Sequence, residues 1–222
     1  HCFECVTANA RYLSVLLSRD RDGAERLREK LPAWSTVISL EHHVELVDLW
    51  EKYVREDASR LGAREVQGEL AEMMDAKFQK PWYLFEREYM RGGVRVVDHY
   101  DFYKRAPELL SAIRGTAESK GYAASEVGQV LVPVYFGASA YCESDFYFDP
   151  QDEAEASRVS GIIRESYSRL LDEGSFIDRP SGEVAGMVFD RVSEGYLKVL
   201  KAFKDIVDPS GIMNPEQLVE GV

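Results

Sequence analysis

The sequence is short of cysteine, of basic residues and of long apolar runs, and each shortage excludes a class of protein. Three cysteines among 222 residues cannot build the disulfide framework of a small secreted domain, so we expect a cytoplasmic location. No apolar run approaches the roughly 20 residues that span a bilayer. Lys and Arg total 27 against 39 for Asp and Glu, a net charge of −12 that argues against nucleic acid and anionic membrane surfaces as partners.

Two further features are missing from the sequence. It contains neither a G-x-G-x-x-G nor a G-x-x-x-x-G-K-[ST] loop, so we expect no phosphate-cradling loop in this chain. It begins with His1 rather than Met and shows no signal-peptide pattern, which suggests a processed N-terminus or a piece of a longer polypeptide. No Gly-, Ser- or Pro-rich linker divides the chain, so residues 1–222 are predicted to form a single domain.

Two cysteines stand close together at the start of the chain. The spacing Cys2-x-x-Cys5 is that of half a zinc site or of a redox pair. A structural zinc ion needs four ligands, and no second C-x-x-C or H-x-x-x-H follows. We therefore interpret these cysteines as ordinary thiols near a mobile end, and we predict no metal site.

The order of β-branched and helical segments predicts an α+β domain, with helices covering one face of a mostly antiparallel sheet. Pro133 should place its strand at an edge or at a bulge, because proline has no N–H to donate. The predicted strands are 34–40, 94–100, 128–135 and 145–149. The predicted helices are 11–30 with an interruption at 20–23, a helix from Val44 that ends before Gly62, 107–120, 152–172 and 184–207.

The fourth strand carries the most unusual alternation of side chains. A small-residue loop from Gly137 leads into it, and successive strand residues point to opposite faces. One face therefore carries Tyr141, Glu143, Asp145 and Tyr147, and the other carries Cys142, Phe146 and Phe148. This pattern is consistent both with the wall of a binding site and with an ordinary sheet that is wetted on one side.

Histidine and arginine supply three more candidates. His42 and His43 are adjacent and point about 100° apart on a helix, so they do not converge on a metal. His99 lies at the end of a predicted strand, where it could face a cleft or serve as a partly buried structural residue. Arg179 precedes Pro180 and is held extended, which aims its guanidinium either at an anionic group or into a surface salt bridge.

Three segments of the sequence occur in an order that resembles a known family. Residues 204–218 resemble K-x-x-x-D-P-x-x-I-x-N-P-G-x-L, with Glu216 in place of the glycine. Residues 174–182 resemble G-A-F-F-x-R-P-Y-G, and residues 137–150 resemble G-R-x-x-x-C-E-x-D-F-Y-Y-D-P. Residues 27–34 also fit the start of that domain. The family is that of the FAD-linked oxidases of the vanillyl-alcohol oxidase / 4-cresol dehydrogenase superfamily.

The resemblance implies the C-terminal cap, or substrate-binding, domain of such an enzyme, an α+β fold with ferredoxin-like halves. FAD would then be held mainly by a FAD-binding domain or subunit outside this chain, and this chain alone would be inactive. The implied reaction is oxidation of a phenolic, aromatic or alcohol substrate by hydride transfer to the flavin. The alternative is a non-catalytic subunit or binding domain that scaffolds or regulates a partner. Self-association is left open.

The resemblance also assigns roles to individual residues. Tyr141, Glu143 and Arg179 become catalytic candidates, because a Tyr and an Arg near a substrate oxygen would favour its loss of a proton. Tyr147 and His99 become substrate-binding candidates, and Asn214 becomes a candidate contact to the flavin edge. The histidine motifs of the metal-dependent 2-hydroxy-acid branch are absent, with 138–142 and 178–180 in their places. That difference favours the phenol-oxidising side of the family.

Overall fold

The computed structural model describes residues 2–79 and 87–213, which form one sheet and its covering helices. Five strands make up the sheet: β1 (Cys2–Asn9), β2 (Trp34–Glu41), β3 (Gly93–Phe102), β4 (Gly128–Val134) and β5 (Ser139–Phe148). The first helices are α1 (Ala10–Leu17), α2 (Arg21–Lys30), α3 (Val44–Arg60) and α4 (Glu69–Phe78). The later ones are α5 (Ala106–Ser119), α6 (Glu153–Asp172), α7 (Glu183–Phe189) and α8 (Glu194–Val207).

The sheet is antiparallel throughout its described pairs, in the order β2-β1-β4-β5-β3. The predicted α+β class is confirmed. Pro133 does not put β4 at an edge, because β4 lies between β1 and β5. The pairing of β1 with β4 covers only Leu131 and Val130, so Pro133 lies beyond it and no partner strand needs its missing N–H.

Helices cover both faces of the sheet, not one as predicted. On one face, Phe146 and Val97 pack with α5 and α6 through residues such as Ile113 and Ile162. On the other face, Val130 packs with Leu13 of α1. The physical reason is that β4 carries apolar residues at consecutive positions, so both of its faces must be buried.

Two predicted boundaries are corrected by the structure. The predicted helix 184–207 is divided into α7 and α8, because the Oγ of Ser193 accepts the N–H of Tyr196 at 3.3 Å and starts a new helix. The strand predicted at 145–149 begins earlier, at Ser139. Cys5 lies in β1, which pairs with β2 along its whole length. Within the described ranges, no helix is long and apolar enough to cross a membrane.

Candidate active site

The predicted polar face of β5 runs from a buried end of the strand to a more exposed end. Glu143 pairs across the sheet with Val130 of β4 and Asp98 of β3, in the middle of the sheet. Toward one end of β5, Tyr147 is buried against Val15 of α1 and Met90. Toward the other end, Tyr141 is only half-buried. The polar face is therefore closed at the Tyr147 end and open at the Tyr141 end.

Arg87 bridges the two carboxyl groups of this face. Its Nη1 lies 2.5 Å from Oε1 of Glu143 and 2.7 Å from Oδ2 of Asp145. The guanidinium carbon also lies 5.9 Å from the centroid of the Tyr12 ring on α1, a cation–π contact. Burial works against the charge of Arg87, but Asp145 and Glu143 outweigh it and raise its pKa. Arg87 therefore stays charged and fixes both carboxyl groups.

Tyr141 and Glu143 form the second part of the site. The hydroxyl of Tyr141 donates to Oε2 of Glu143 at 2.6 Å, so Glu143 accepts from Arg87 through one oxygen and from Tyr141 through the other. Burial, and then the charge of Glu143, raises the pKa of Tyr141. Tyr141 is thus a neutral phenol whose proton is directed at Glu143 and whose oxygen can still accept a hydrogen bond.

Asp145 and Tyr147 occupy the closed end. The Tyr147 hydroxyl donates to Oδ2 of Asp145 at 3.0 Å, and the Asp145 side chain is fully buried. Burial, and then the neighbouring Glu143, raises the pKa of Asp145. The Tyr147 ring fits here because the neighbouring residue on β4 is Gly128. A Cβ on Gly128 would lie 2.7 Å from the Tyr147 hydroxyl.

Aromatic rings surround the open end. Tyr100 of β3 lies with its ring centroid 5.3 Å from that of Tyr141 and 6.2 Å from that of Phe176. Phe176 is held there by two backbone hydrogen bonds with Tyr100, at 2.8 and 2.9 Å, on the outer edge of β3. We call Tyr100, Tyr141 and Phe176 the aromatic mouth. Such a surface suits a flat aromatic ligand.

Arg179 lies beside the aromatic mouth and forms a surface ion pair, one of the two arrangements that the sequence left open. Its side chain is 74% exposed, and its Nε lies 3.2 Å from Oδ2 of Asp178. Asp178 raises the pKa of Arg179, and the charges of Asp98 and Tyr141 contribute to the same shift. The guanidinium is therefore charged and close enough to Tyr141 to influence it, and it remains open to a ligand.

The structure brings together Tyr141, Glu143 and Tyr147, with Arg179 at the mouth, but it does not bring His99 to them. His99 pairs in register with Cys142, so it lies on the opposite face of the sheet. It is almost completely buried, and neither ring nitrogen has a hydrogen-bond partner among the described residues. Burial lowers the pKa of His99 to about 4. Asn214 lies outside the described residues.

Two residues of this cluster were missed by the sequence analysis. Arg87 is 56 positions before Glu143, and Tyr12 lies on α1, so no local pattern links either of them to β5. One signal was present in the sequence. Two carboxyl groups at alternate positions of a strand with buried neighbours require a cation or a proton. That requirement predicts a partner without saying where it lies in the chain.

The described residues fit only part of a FAD molecule. The aromatic mouth and Arg179 offer a flat surface and a cation, which suit an aromatic ring system with polar edges. The sequence has no glycine-rich loop for the diphosphate. Across residues 2–79 and 87–213, no group of three or more His, Cys, Asp or Glu side chains is arranged to hold a metal ion.

Comparison with solved structures finds the same fold in two enzymes. Over 97% of this chain, the structure superimposes on 4-ethylphenol oxidase from Gulosibacter chungangensis, in its isoeugenol complex, with a TM-score of 0.75 and 13% identity. Alkyldihydroxyacetonephosphate synthase matches over 96% of this chain with a TM-score of 0.50 and 13% identity. No protein-family model and no curated protein sequence matches this chain.

These matches cover only part of each enzyme chain. This chain spans 47% of the 4-ethylphenol oxidase chain and 38% of the synthase chain, less than half of either. At 13% identity the likeness establishes the architecture. The chain therefore shares its fold with part of a 4-ethylphenol oxidase and part of an alkyldihydroxyacetonephosphate synthase.

Proposed function

We propose that this chain is the substrate-binding cap portion of a FAD-dependent oxidoreductase that oxidises a phenolic, aromatic or alcohol substrate by hydride transfer to the flavin. The observation that carries the proposal is the hydrogen bond from Tyr141 to Glu143 at the base of the aromatic mouth, with Arg179 beside it. The fold shared with 4-ethylphenol oxidase, whose structure holds isoeugenol, supports a phenol as the substrate class.

The aromatic mouth would orient the substrate ring. Tyr100 and Phe176 offer their faces, and Tyr141 offers its hydroxyl oxygen at the inner end. A substrate hydroxyl that donates to the Tyr141 oxygen would find a proton path, because Tyr141 already donates to Glu143. Arg179 would stabilise negative charge that develops on the substrate oxygen. A bound flavin would supply the hydride acceptor.

Arg87 would position the proton path without contacting the substrate. It holds the Glu143 carboxylate at 2.5 Å, which keeps Oε2 of Glu143 directed at Tyr141. Without this anchor, Glu143 could rotate away from Tyr141, and the hydroxyl would lose its orientation. Positioned groups of this kind contribute to rate by holding the reacting atoms in place.

Flavin content and turnover test the proposal together. The chain is purified from its native source with any polypeptide that is attached or bound to it, and the visible spectrum is recorded before and after anaerobic addition of 4-ethylphenol. We expect flavin absorbance that is bleached by the phenol. Arg179→Ala should slow the bleaching about 10²-fold, the usual effect of losing one transition-state contact.

The matched control for Arg179 is Arg164→Ala. Arg164 is also exposed and also pairs with a single carboxylate, Glu183, away from the aromatic mouth. The control variant should bleach at the rate of the unaltered protein. A colourless preparation that is stable and inert to phenols and alcohols would instead favour the non-catalytic alternative, in which the chain scaffolds or regulates a partner.

A further inference from the structure

Arg87 serves two carboxyl groups that are both buried. Arg55 and Arg105 also contact two carboxylates each, but at least one of the two is exposed in each case. A second cluster offers the comparison: Glu126 contacts both Arg11 and Arg28, and Glu25 contacts the same two arginines. That cluster has two cations and two carboxylates. Around Arg87, the described residues supply one cation for Glu143 and Asp145. With both carboxyl groups ionised, the Arg87 cluster would carry an uncompensated negative charge in the protein interior.

The hydrogen bonds of Asp145 indicate that a neutralising proton lies on this carboxyl group. Its Oδ2 accepts from Arg87 and from Tyr147, whereas its Oδ1 is buried without a partner among the described residues. The side chain is fully buried, so water cannot satisfy that oxygen from the surface. Burying an ionised carboxylate oxygen without a donor costs more than burying a neutral carboxyl group, so a proton on Asp145 lowers this cost.

We propose that Asp145 keeps its proton in the folded chain, and that this proton makes the Arg87 cluster neutral. The two carboxyl groups lie on alternate residues of the same strand face and share the same guanidinium nitrogen. Two carboxyl groups that share one guanidinium nitrogen cannot both ionise easily, because like charges repel at close range. Burial, and then the charge of Glu143, raises the pKa of Asp145.

The groups facing this pair come from α1, β3, β5 and two loops, and they agree with a retained proton. Tyr12 on α1 and Tyr141 and Tyr147 on β5 are neutral phenols with raised pKa values. Asp98 on β3 adds negative charge, and its pKa is raised by burial. Arg87 is the opposing cation, and Arg179 acts only from the exposed mouth. Asp145 is therefore a positioning residue that fixes the protonation of its neighbour.

This inference goes beyond the proposed function, since it concerns the folded chain without flavin. It predicts the sign of a pH effect on folding. A carboxyl group whose folded pKa is raised binds more protons when folded than when unfolded. Its stabilisation is complete below the unfolded value of about 4 and is lost as the pH rises through the folded pKa. Because of this cluster, the urea concentration at the midpoint of unfolding should fall as the pH is raised from mildly acidic to mildly basic.

The test compares Asp145→Asn with Glu126→Gln in the 222-residue chain. Asparagine imitates the protonated aspartate, so Asp145→Asn should remove the fall of the midpoint with pH and leave its value at neutral pH at least as high as before. In the other cluster the arginines lower the pKa of Glu126 against the effect of burial, so Glu126→Gln should lower the midpoint at neutral pH. An unchanged pH slope in Asp145→Asn would overturn the proposal.

An infrared measurement on the unaltered chain keeps the proposal testable if Asp145→Asn fails to fold. With ¹³C-labelled aspartate, we expect the C=O stretch of one protonated carboxylic acid at neutral pH. The same band should persist in Asp98→Asn, which removes the other aspartate with a burial-raised pKa. A spectrum with no protonated carboxyl band, or a band that disappears in Asp98→Asn, would overturn the proposed proton on Asp145.

Discussion

Gly128 and Tyr147 lie on neighbouring strands, and the Tyr147 hydroxyl occupies space that a side chain at position 128 would need. A Cβ on Gly128 would lie 2.7 Å from that hydroxyl and 3.4 Å from the Cα of Tyr12. Tyr147 is fully buried and bonded to Asp145, so it cannot swing away. Gly128→Ala should therefore destabilise the chain by about 1–3 kcal/mol through overpacking, measured by urea unfolding.

A second glycine provides the control for this substitution. Gly115 is exposed on α5, and a Cβ there would meet nothing within 4 Å. Gly115→Ala should stabilise the chain by about 0.5–1 kcal/mol, because alanine is the better helix former. Equal effects of the two substitutions would show that the space at Gly128 is not limiting.

Removal of Arg87 should show how far its two buried carboxyl partners destabilise the chain when they lack a cation. Arg87→Met leaves Glu143 and Asp145 buried without their cation, which should lower the free energy of unfolding by about 3 kcal/mol at neutral pH. The loss should shrink as the pH falls, because the carboxyl groups then become neutral. Arg60→Met, which removes an exposed ion pair with Asp57, should cost less than about 1 kcal/mol. A loss that grows at low pH would contradict this account.

Cys142 should be inert until the chain unfolds. It is buried on the face of β5 that packs against α5, and burial raises the pKa of its thiol to about 12. Thiolate is the reactive form, so labelling requires both exposure and ionisation. In a variant with Cys2→Ser and Cys5→Ser, a disulfide reagent should react with Cys142 only at the rate of unfolding. Rapid labelling of the folded variant would mean that this face of the sheet is open.

Asp208 should control the turn that follows α8. Its carboxylate accepts the N–H groups of Ile212 at 3.0 Å and Met213 at 2.9 Å, and it also contacts Lys204. Asp208→Ala should therefore speed hydrogen exchange at the amides of residues 212 and 213, measured by NMR. Asp205→Ala, on the same helix, is the control and should leave both amides protected. Unchanged exchange in Asp208→Ala would assign the turn to other contacts.

Local patterns were sufficient to predict most of the fold. The period of two along β5 correctly placed Tyr141, Glu143 and Tyr147 on one face, because strand geometry alone determines that alternation. β1 was missed because its order depends on pairing with β2 and β4, and neither contact is visible in residues 2–9 by themselves. Strands stabilised by distant partners carry weak local signals.

The candidate site was only partly predictable for the same reason. His99 and Tyr100 are consecutive on β3 and must face opposite ways, but the sequence does not tell which of them shares the face of Glu143. Arg87 is remote in the chain, so the sequence could indicate the need for a cation beside the two carboxyl groups but not which residue supplies it. Register and tertiary contact therefore decided the composition of the site.

The central claim is that Tyr141 takes part in oxidation of a phenol by a bound flavin. The most direct measurement is the rate of anaerobic flavin bleaching by 4-ethylphenol in the natively purified protein, for Tyr141→Phe against the unaltered residue. We predict a loss of about 10²-fold, typical of removing a positioned proton-transfer group, with a urea midpoint close to the original. An unchanged bleaching rate in Tyr141→Phe, or a flavin that the phenol does not bleach at all, would contradict the account.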